Sequence, residues 1–297
     1  MSGAPGSGAW RPYAAALGAI VCWASLAAAV GRGLNRLHPE QVLFLGLVTA
    51  GLALAARHVL RTGWPLPPWP GWRAAAVGLY GIWGYHTLLV VALSLAPQME
   101  ANILNYTWPL WIVVLGSLLP DQRRSRWAIP ASALGFAGAA LVIAGAGRTE
   151  ALAAEPLPGP AWLGLAFALG AGFCWGSFTI LMRRVTPPGQ EHMTWYCLLS
   201  ALAAGALLLA RGLPMLPSWG DLWIPLFIGL VPLGLAFALW ERAVQGCNLQ
   251  VLGLLSFLTP PLSVGLQALV TGRALGPHHL AGLALILAGA AWGSRRT

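Results

Sequence analysis

Ten apolar stretches of about 18 to 25 residues follow one another along this chain of 297 residues, and each could cross a hydrocarbon core of roughly 30 Å as a helix. The stretches are continuously apolar, whereas the strands of a membrane barrel alternate apolar and polar residues. Only 8% of the residues are charged, against roughly 25% in a soluble domain. The sequence therefore predicts an all-α polytopic membrane protein, with transmembrane helices at about residues 13–31, 41–60, 73–95, 100–119, 127–146, 161–182, 192–210, 222–243, 249–271 and 277–293.

All 17 basic residues are arginine. Without lysine the chain has neither a Walker A phosphate loop nor a Schiff-base site. The arginines are scattered between the apolar stretches and form no basic stripe, which argues against a nucleic-acid partner. The four cysteines lack the C-x-x-C spacing of zinc and redox sites. We therefore expect no cofactor, no metal and no nucleic acid.

The chain contains an internal repeat. Two pairs of segments carry it, ALGAIVCWAS with ALGAGFCWGS and AGAALVIAG with AGLALILAG, at 16–25, 168–177, 137–145 and 281–289. Between these anchors a proline recurs inside a predicted helix, as Pro109 and Pro260. Three anchors in the same order predict two five-helix repeats, at 1–150 and 151–297.

Each repeat holds an odd number of helices, so the second repeat starts on the opposite side of the membrane and is inverted relative to the first. Inverted repeats are typical of alternating-access transporters, which bind a small molecule near the bilayer midplane where the halves meet. We therefore expect two inverted repeats around a central cavity. An inert scaffold produced by duplication is the alternative.

Arginine is distributed unevenly between the two sides of the predicted bundle: twelve lie on the side of the N-terminus and five on the other. Cytoplasmic loops carry the excess of basic residues. Both termini are therefore expected in the cytoplasm, with the chain as a multi-pass protein of a bacterial-type inner (plasma) membrane. The expected partners are the lipid bilayer and a small-molecule substrate, and the sequence is compatible with a monomer.

Ionisable side chains inside a bilayer are costly, and each is a functional candidate. His86 lies near the centre of the third predicted helix, where lining of the cavity and a structural hydrogen bond are both open. Glu100 begins the fourth helix, where the helix dipole already accounts for an acid. Glu241 and Arg242 are adjacent near the cytoplasmic end of the eighth helix, where pairing or snorkelling is the simpler explanation.

A polar stripe runs along the ninth predicted helix. Its members follow at spacings of three and four residues and share one face, and they are Ser256, Thr259, Ser263 and Gln267. At an offset of 151 residues, the corresponding face of the fourth helix surrounds Pro109, where the missing N–H leaves a carbonyl free. That face carries Asn102, Asn105, Tyr106 and Trp108. We expect the two faces to meet at the cavity, with Pro109 and Pro260 kinking their helices.

Sixteen residues are tryptophan, and those near helix ends are typical of an interfacial belt. Other aromatic residues lie well inside predicted helices, where rings with polar handles suit the stacking of a planar or aromatic solute. These aromatic residues are Trp23, Trp83, Trp108 and Trp175, together with Tyr80, Tyr85 and Tyr106. Core packing explains any single one of them equally well.

Three pairs of motifs recur in the two halves: CWAS and CWGS, NYTWPL and SFLTPPLS, and the closing AGAALVIAG and AGLALILAG. In that order they resemble the ten-helix, EamA-type branch of the drug/metabolite transporter superfamily, over residues 13–293. Within this branch, YHTLLVVAL followed by EANILNYTWPLW is similar to the YddG-like aromatic amino-acid exporters. The resemblance implies a basket of ten helices with helices 5 and 10 at its back, and efflux of aromatic amino acids and sometimes of flat cationic compounds.

The sequence thus predicts an exporter of small neutral amino-acid-type metabolites, preferentially aromatic amino acids, that works by alternating access at a midplane cavity. A multidrug exporter of planar organic cations is the alternative transporter. A membrane scaffold or an integral-membrane enzyme is the alternative of another class, although the chain lacks paired carboxylates and a metal motif. The substrate-binding candidates are Tyr85, His86, Asn102, Asn105, Tyr106, Trp108, Trp175, Trp23, Tyr80, Ser256 and Thr259.

Overall fold

The computed structural model describes residues 10–30, 37–120, 122, 125–150, 160–272 and 274–293. All regular structure in these residues is helical, which confirms the predicted all-α class. The helices in chain order are α1 (Arg11–Val30), α2 (Pro39–Thr62), α3 (Trp72–Leu95), α4a (Gln98–Asn105), α4b (Trp108–Gly116), α5 (Ala128–Glu150), α6 (Ala161–Val185), α7 (Met193–Ala210), α8 (Trp219–Gly246), α9a (Leu249–Ser256), α9b (Thr259–Thr271) and α10 (Pro277–Gly293).

Six of these helices are long and apolar enough to cross a membrane within the described part of the chain. They are α2, α3, α6, α7, α8 and α9, the last taken across its two parts. A polytopic membrane protein is therefore confirmed. The number of ten crossings and the division into two inverted repeats stay predictions.

Two helices contain a π-helical segment, one in each half of the chain. In α3 the segment covers Leu79–Gly84, and in α8 it covers Gly229–Leu235, which includes Pro232. Proline has no N–H for the α-helical ladder, and a π segment is one way in which a helix accommodates that loss. In α3 the segment lies where Gly81 meets α6, because a Cβ at Gly81 would lie 2.0 Å from the ring of Phe178. In α8 a Cβ at Gly229 would lie 2.4 Å from the Cβ of Thr49 on α2, so close packing accompanies both segments.

The two prolines of the predicted kinks lie at breaks between helices. Helix α4a ends at Asn105, and Pro109 occupies the first turn of α4b. Helix α9a ends at Ser256, and Pro260 occupies the first turn of α9b. We expected prolines in the middle of continuous helices, and this was wrong. The first N–H groups of a helix have no partner within it, so a proline there loses no hydrogen bond.

The helices pack in pairs that join the two halves of the chain. Helix α5 lies against α10, where a Cβ at Gly138 would meet the carbonyl oxygen of Gly282 at 2.6 Å. Helix α2 packs against α7, α1 against α8, and α6 against α3 and α4. The largest fully buried side chains include Trp240, Tyr196 and Phe178. The main hydrophobic core therefore lies between the halves.

Candidate functional site

Four tryptophans from four helices meet in the core, and we call them the tryptophan cluster. The Trp23 ring on α1 lies 6.1 Å from Trp108 on α4b, 5.7 Å from Trp175 on α6 and 5.1 Å from Trp240 on α8, between ring centroids. Most of these contacts are edge to face, the arrangement that the charge distribution of aromatic rings favours. Trp108 and Trp175 are only 5% and 4% exposed. The cluster thus joins both halves at one point.

Tyr85 and His86 extend this cluster. Both follow directly after the π segment of α3. The Tyr85 ring lies 5.0 Å from Trp175 and 4.9 Å from His86, and Phe237 on α8 lies 5.7 Å from Trp175. A continuous aromatic surface, whose rings are mostly buried against one another, therefore runs from α1 to α3.

His86 makes a hydrogen bond within its own helix. Its Nδ1 lies 2.6 Å from the carbonyl oxygen of Ile82, one turn earlier. A carbonyl only accepts, so Nδ1 carries the hydrogen, and in a neutral ring Nε2 is then an acceptor. The ring is half-buried beside Tyr85. The structural hydrogen bond therefore uses Nδ1, whereas a role in lining the site would use Nε2 of the same ring.

Asn105 presents an unsatisfied buried group at the end of α4a. Its Nδ2 donates to the Tyr85 hydroxyl at 3.4 Å, and the side chain is 5% exposed. Its Oδ1 is buried and has no hydrogen-bond partner among the described residues. A buried carbonyl oxygen without a donor costs about 1 to 3 kcal/mol. Such an atom next to an aromatic surface is a candidate acceptor for a ligand.

The polar stripe of α9 divides into two parts. The Ser256 hydroxyl donates to the Leu252 carbonyl at 2.8 Å, and the Thr259 hydroxyl donates to the Ser256 carbonyl at 2.9 Å. Both side chains are buried. Ser263 and Gln267 on α9b are half-buried. The Ser256 and Thr259 hydroxyls are therefore bonded to backbone carbonyls of their own helix, whereas we expected them to face the cavity with the rest of the stripe.

The repeated Cys-Trp pairs contact the π segments of the opposite halves. Trp23 Nε1 donates to the carbonyl of Pro232 at 2.9 Å, and the Cys174 thiol donates to the carbonyl of Tyr80 at 3.2 Å. The Tyr80 hydroxyl lies 2.6 Å from the Ser177 hydroxyl on α6, outside the tryptophan cluster. Both motifs thus satisfy carbonyl groups where the helix ladder is irregular.

At one end of the bundle, three arginines surround Glu191, which lies between α6 and α7, and we call this group the Glu191 network. Arg57 makes two hydrogen bonds to the Glu191 carboxylate, both of 2.9 Å. Arg242 donates to it at 3.2 Å, and Arg61 lies 3.5 Å away. Burial raises the pKa of Glu191, but the hydrogen bonds and charges of Arg57 and Arg242 outweigh this and hold the pKa below its usual value.

Glu241 is separate from this network, although its neighbour Arg242 belongs to it. The Glu241 carboxylate is 2% exposed and accepts hydrogen bonds from the backbone N–H groups of His192 at 2.7 Å and Met193 at 3.4 Å. It therefore caps the N-terminus of α7. We expected pairing or snorkelling for Glu241 and Arg242. Arg242 does form an ion pair, with Glu191, whereas Glu241 does neither, because the N-terminus of α7 offers it donors. No group of three or more possible metal ligands forms among the described residues.

The model of the EamA-like transporter family matches residues 10–144 and 162–294. The chain belongs to this family. It is therefore a membrane transporter and not an enzyme.

Two relatives of the transporter match more than nine tenths of its length. It is 31% identical to the aromatic amino acid exporter YddG of Ancylobacter novellus, over 92% of its own length and 93% of that protein. It is 27% identical to a probable terminal-alkyne amino-acid exporter of Streptantibioticus cattleyicolor, over 94% and 91%. A solved crystal structure of 24% identity has a TM-score of 0.84 and covers 95% of both chains, which shows a shared fold.

The transporter brings some of the sequence candidates together and separates others. One connected group contains Trp23, Trp108, Trp175, Tyr85, His86 and Asn105. Asn102 on α4a and Tyr106 in the break that follows it are half-buried. Trp240 and Phe237, which complete the aromatic surface, are not among the residues predicted from the sequence. Their spacing of three residues places them on one helix face and could have indicated them.

Proposed function

We propose that this transporter exports neutral amino acids, preferentially aromatic ones, across the bacterial inner membrane. The observation that carries the proposal is the aromatic surface of the tryptophan cluster beside the unpartnered Oδ1 of Asn105. Rings of this surface can stack on the side chain of an aromatic amino acid, which contributes about 0.5 to 1.5 kcal/mol for each pair. The names of two relatives, both amino-acid exporters, support the same substrate class.

The two ends of an amino acid would find different partners. Asn105 Oδ1 accepts a hydrogen bond, which suits the α-ammonium group. The carboxylate suits the N-terminus of α4b, because broken helices direct the positive ends of their dipoles at anionic groups near the midplane. His86 Nε2 is an acceptor and completes the polar side of the site.

The transporter works by alternating access in this proposal, and the packing of the broken helices supports an arrangement closed towards the cytoplasm. In α9a six of eight residues are buried, whereas in α9b two of thirteen are. In the predicted orientation, α9a and the Glu191 network lie on the cytoplasmic side. The network joins α2 of the first half to α8 of the second. It would therefore close the cytoplasmic entrance while substrate leaves on the other side.

Counterflow of labelled phenylalanine in proteoliposomes tests the proposal. We expect unlabelled tryptophan and tyrosine to compete more strongly than alanine, and a planar organic cation to compete weakly. Trp175→Leu should reduce counterflow severalfold, while Trp162→Leu, at an exposed position near the start of α6, should leave it unchanged. Competition by the cation but not by any amino acid would instead favour a multidrug exporter.

A further inference from the structure

A groove of about 190 Å³ lies between α2 and α8 on the outer face of the bundle. Its walls are apolar, with Ala53 and Leu54 on α2, and Leu235 and Ala238 on α8. Leu235 is 50% exposed, so the groove opens to the surroundings of the protein. Around a membrane helix at this depth, those surroundings are acyl chains. The groove is therefore a surface for hydrocarbon.

Two guanidinium groups close one end of this groove, those of Arg57 and Arg242. Each lies in the last two turns of its helix, where a spanning helix approaches the headgroup region. Both contact Glu191, as does Arg61, so three positive charges share one carboxylate. Glu241 is the other acid nearby, and it faces the N-terminus of α7. Even with Glu241 counted, the end of the groove keeps an excess of positive charge.

A second groove shows which of these features is distinctive. It measures about 570 Å³ and lies along α9b, and its described lining residues, which run from Pro261 to Leu275, carry no charge. Both grooves offer apolar walls, but the groove between α2 and α8 also has guanidinium groups at its end. The volume of the groove between α2 and α8, about 190 Å³, is below the roughly 300 to 1,000 Å³ of pockets that enclose a small solute. It therefore suits part of a chain attached to an anionic group.

We propose that the groove between α2 and α8 binds an anionic phospholipid, with one acyl chain along its apolar walls and the phosphate on Arg57 and Arg242. Basic pockets between membrane helices recognise anionic headgroups, and the planar guanidinium matches the geometry of phosphate oxygens. Helix α2 belongs to the first half and α8 to the second. A bound lipid therefore connects the two halves beside the Glu191 network. This inference does not depend on which solute is transported.

Native mass spectrometry of the purified full chain tests the site. The protein is incubated with equal amounts of dioleoyl phosphatidylglycerol and dioleoyl phosphatidylcholine, which have the same acyl chains. We expect one phosphatidylglycerol per chain to be retained at least fivefold over phosphatidylcholine. Ala238→Phe, which fills the groove, and Arg242→Gln, which removes a charge, should each lower this retention at least threefold.

Matched controls separate the site from general effects. Ala206→Phe makes the same change at an exposed position of α7, and Arg211→Gln removes an arginine that pairs with Glu40 elsewhere. Both should retain phosphatidylglycerol as the parent does. If Ala238→Phe lowers the folded yield, the retention of phosphatidylglycerol is measured on Ala238→Leu, which fills the groove with less perturbation.

Three results would overturn the proposal. Equal retention of the two lipids would show that charge plays no part. Retention that is unchanged in both groove variants would place the lipid elsewhere. A rise in melting temperature with glycerol 3-phosphate as large as the rise with phosphatidylglycerol would indicate a site for small anions and not for a lipid.

Discussion

Helix α4 breaks just before Pro109 and helix α9 breaks just before Pro260, 151 residues later, yet the side chains at the two breaks have different roles. At this offset Asn105 corresponds to Ser256. Asn105 keeps an unpaired buried oxygen, whereas the Ser256 hydroxyl is bonded to its own helix. The two halves therefore share a backbone feature, while of these two corresponding side chains only Asn105 keeps an unpaired acceptor.

The ends of the bundle show a second difference of the same kind. Glu40 and Glu191 are also 151 residues apart, and each pairs with arginine from the opposite half. Glu40 pairs with Arg211, whereas Glu191 is shared by Arg57, Arg61 and Arg242. Among the described residues, the Glu191 end is thus more strongly tied. Related positions again carry unequal interactions.

The largest expected effect concerns the two residues at the ends of α4a and α9a. Asn105→Leu should lower phenylalanine counterflow roughly tenfold to a hundredfold, because a hydrogen bond to a charged group contributes about 1.5 to 3 kcal/mol. The folded yield should persist, since the change removes an unsatisfied buried group. Ser256→Ala should change counterflow less than about twofold, because its hydroxyl only supplements a helix. Equal losses in both variants would remove the contrast between the halves.

The next prediction concerns the first residue after each break, Trp108 in α4b and Thr259 in α9b. Trp108→Leu should lower phenylalanine counterflow roughly twofold to tenfold, from the loss of about 0.5 to 1.5 kcal/mol of aromatic stacking. Thr259→Val, at the corresponding position, should leave it nearly unchanged. Counterflow of leucine serves as the control, because an aliphatic substrate loses no aromatic stacking. If leucine transport falls equally, Trp108 acts only in packing.

At the ends of the bundle, Glu191→Gln should lower the melting temperature more than Glu40→Gln. Both sites are partly exposed, so a network of three arginines contributes on the order of 1 kcal/mol and a single ion pair a few tenths. For a chain of this size 1 kcal/mol corresponds to roughly 2 to 4 °C. The melting temperatures of both variants are measured by intrinsic tryptophan fluorescence during heating. A larger shift for Glu40→Gln would reverse the assignment of the stronger end.

The same network predicts a dependence on pH. The pKa of Glu191 is held below its usual value, so the carboxylate stabilises the fold above an unfolded pKa of about 4.3. This contribution should decrease as the pH falls below about 4.3 and be lost once it passes the folded pKa. His192 beside it has a pKa lowered by burial and stays neutral at pH 7. The melting temperature of the parent should therefore approach that of Glu191→Gln in acid, and parallel curves would contradict this.

The smallest effect is expected at the prolines, where the two halves should agree. Pro109→Ala and Pro260→Ala should each change stability by less than about 0.5 kcal/mol, because both prolines lie in a first helical turn. A proline inside a continuous helix would cost about 3 kcal/mol, and its removal would raise the melting temperature clearly. Thermal unfolding distinguishes the two cases. A clear rise in the melting temperature of either variant would show strain at that break.

Much of the fold could be predicted from local sequence, since apolar length places helices and a repeated motif relates the halves. The breaks at Pro109 and Pro260 were located within a turn but taken for kinks, because proline in a first turn and proline in mid-helix look alike in sequence. The Glu191 network was missed. Its members Arg57 and Glu191 are 134 residues apart and meet only through the packing of α2 against α7. Trp240 was missed for a similar reason, since the rings in contact with it, Trp23 and Trp108, come from two other helices.

The π segment of α3 also affects the direction of every side chain that follows it. A π turn holds about one residue more than an α turn, and one residue corresponds to roughly 100° around a helix axis. A single helical wheel drawn for Trp72–Leu95 therefore fails at Leu79–Gly84, and the two sides need separate wheels. Tyr85 and His86 owe their azimuth to this change of phase. If the same residues formed a regular α-helix, with none deleted, both rings would turn by roughly 100° about the helix axis, away from Trp175.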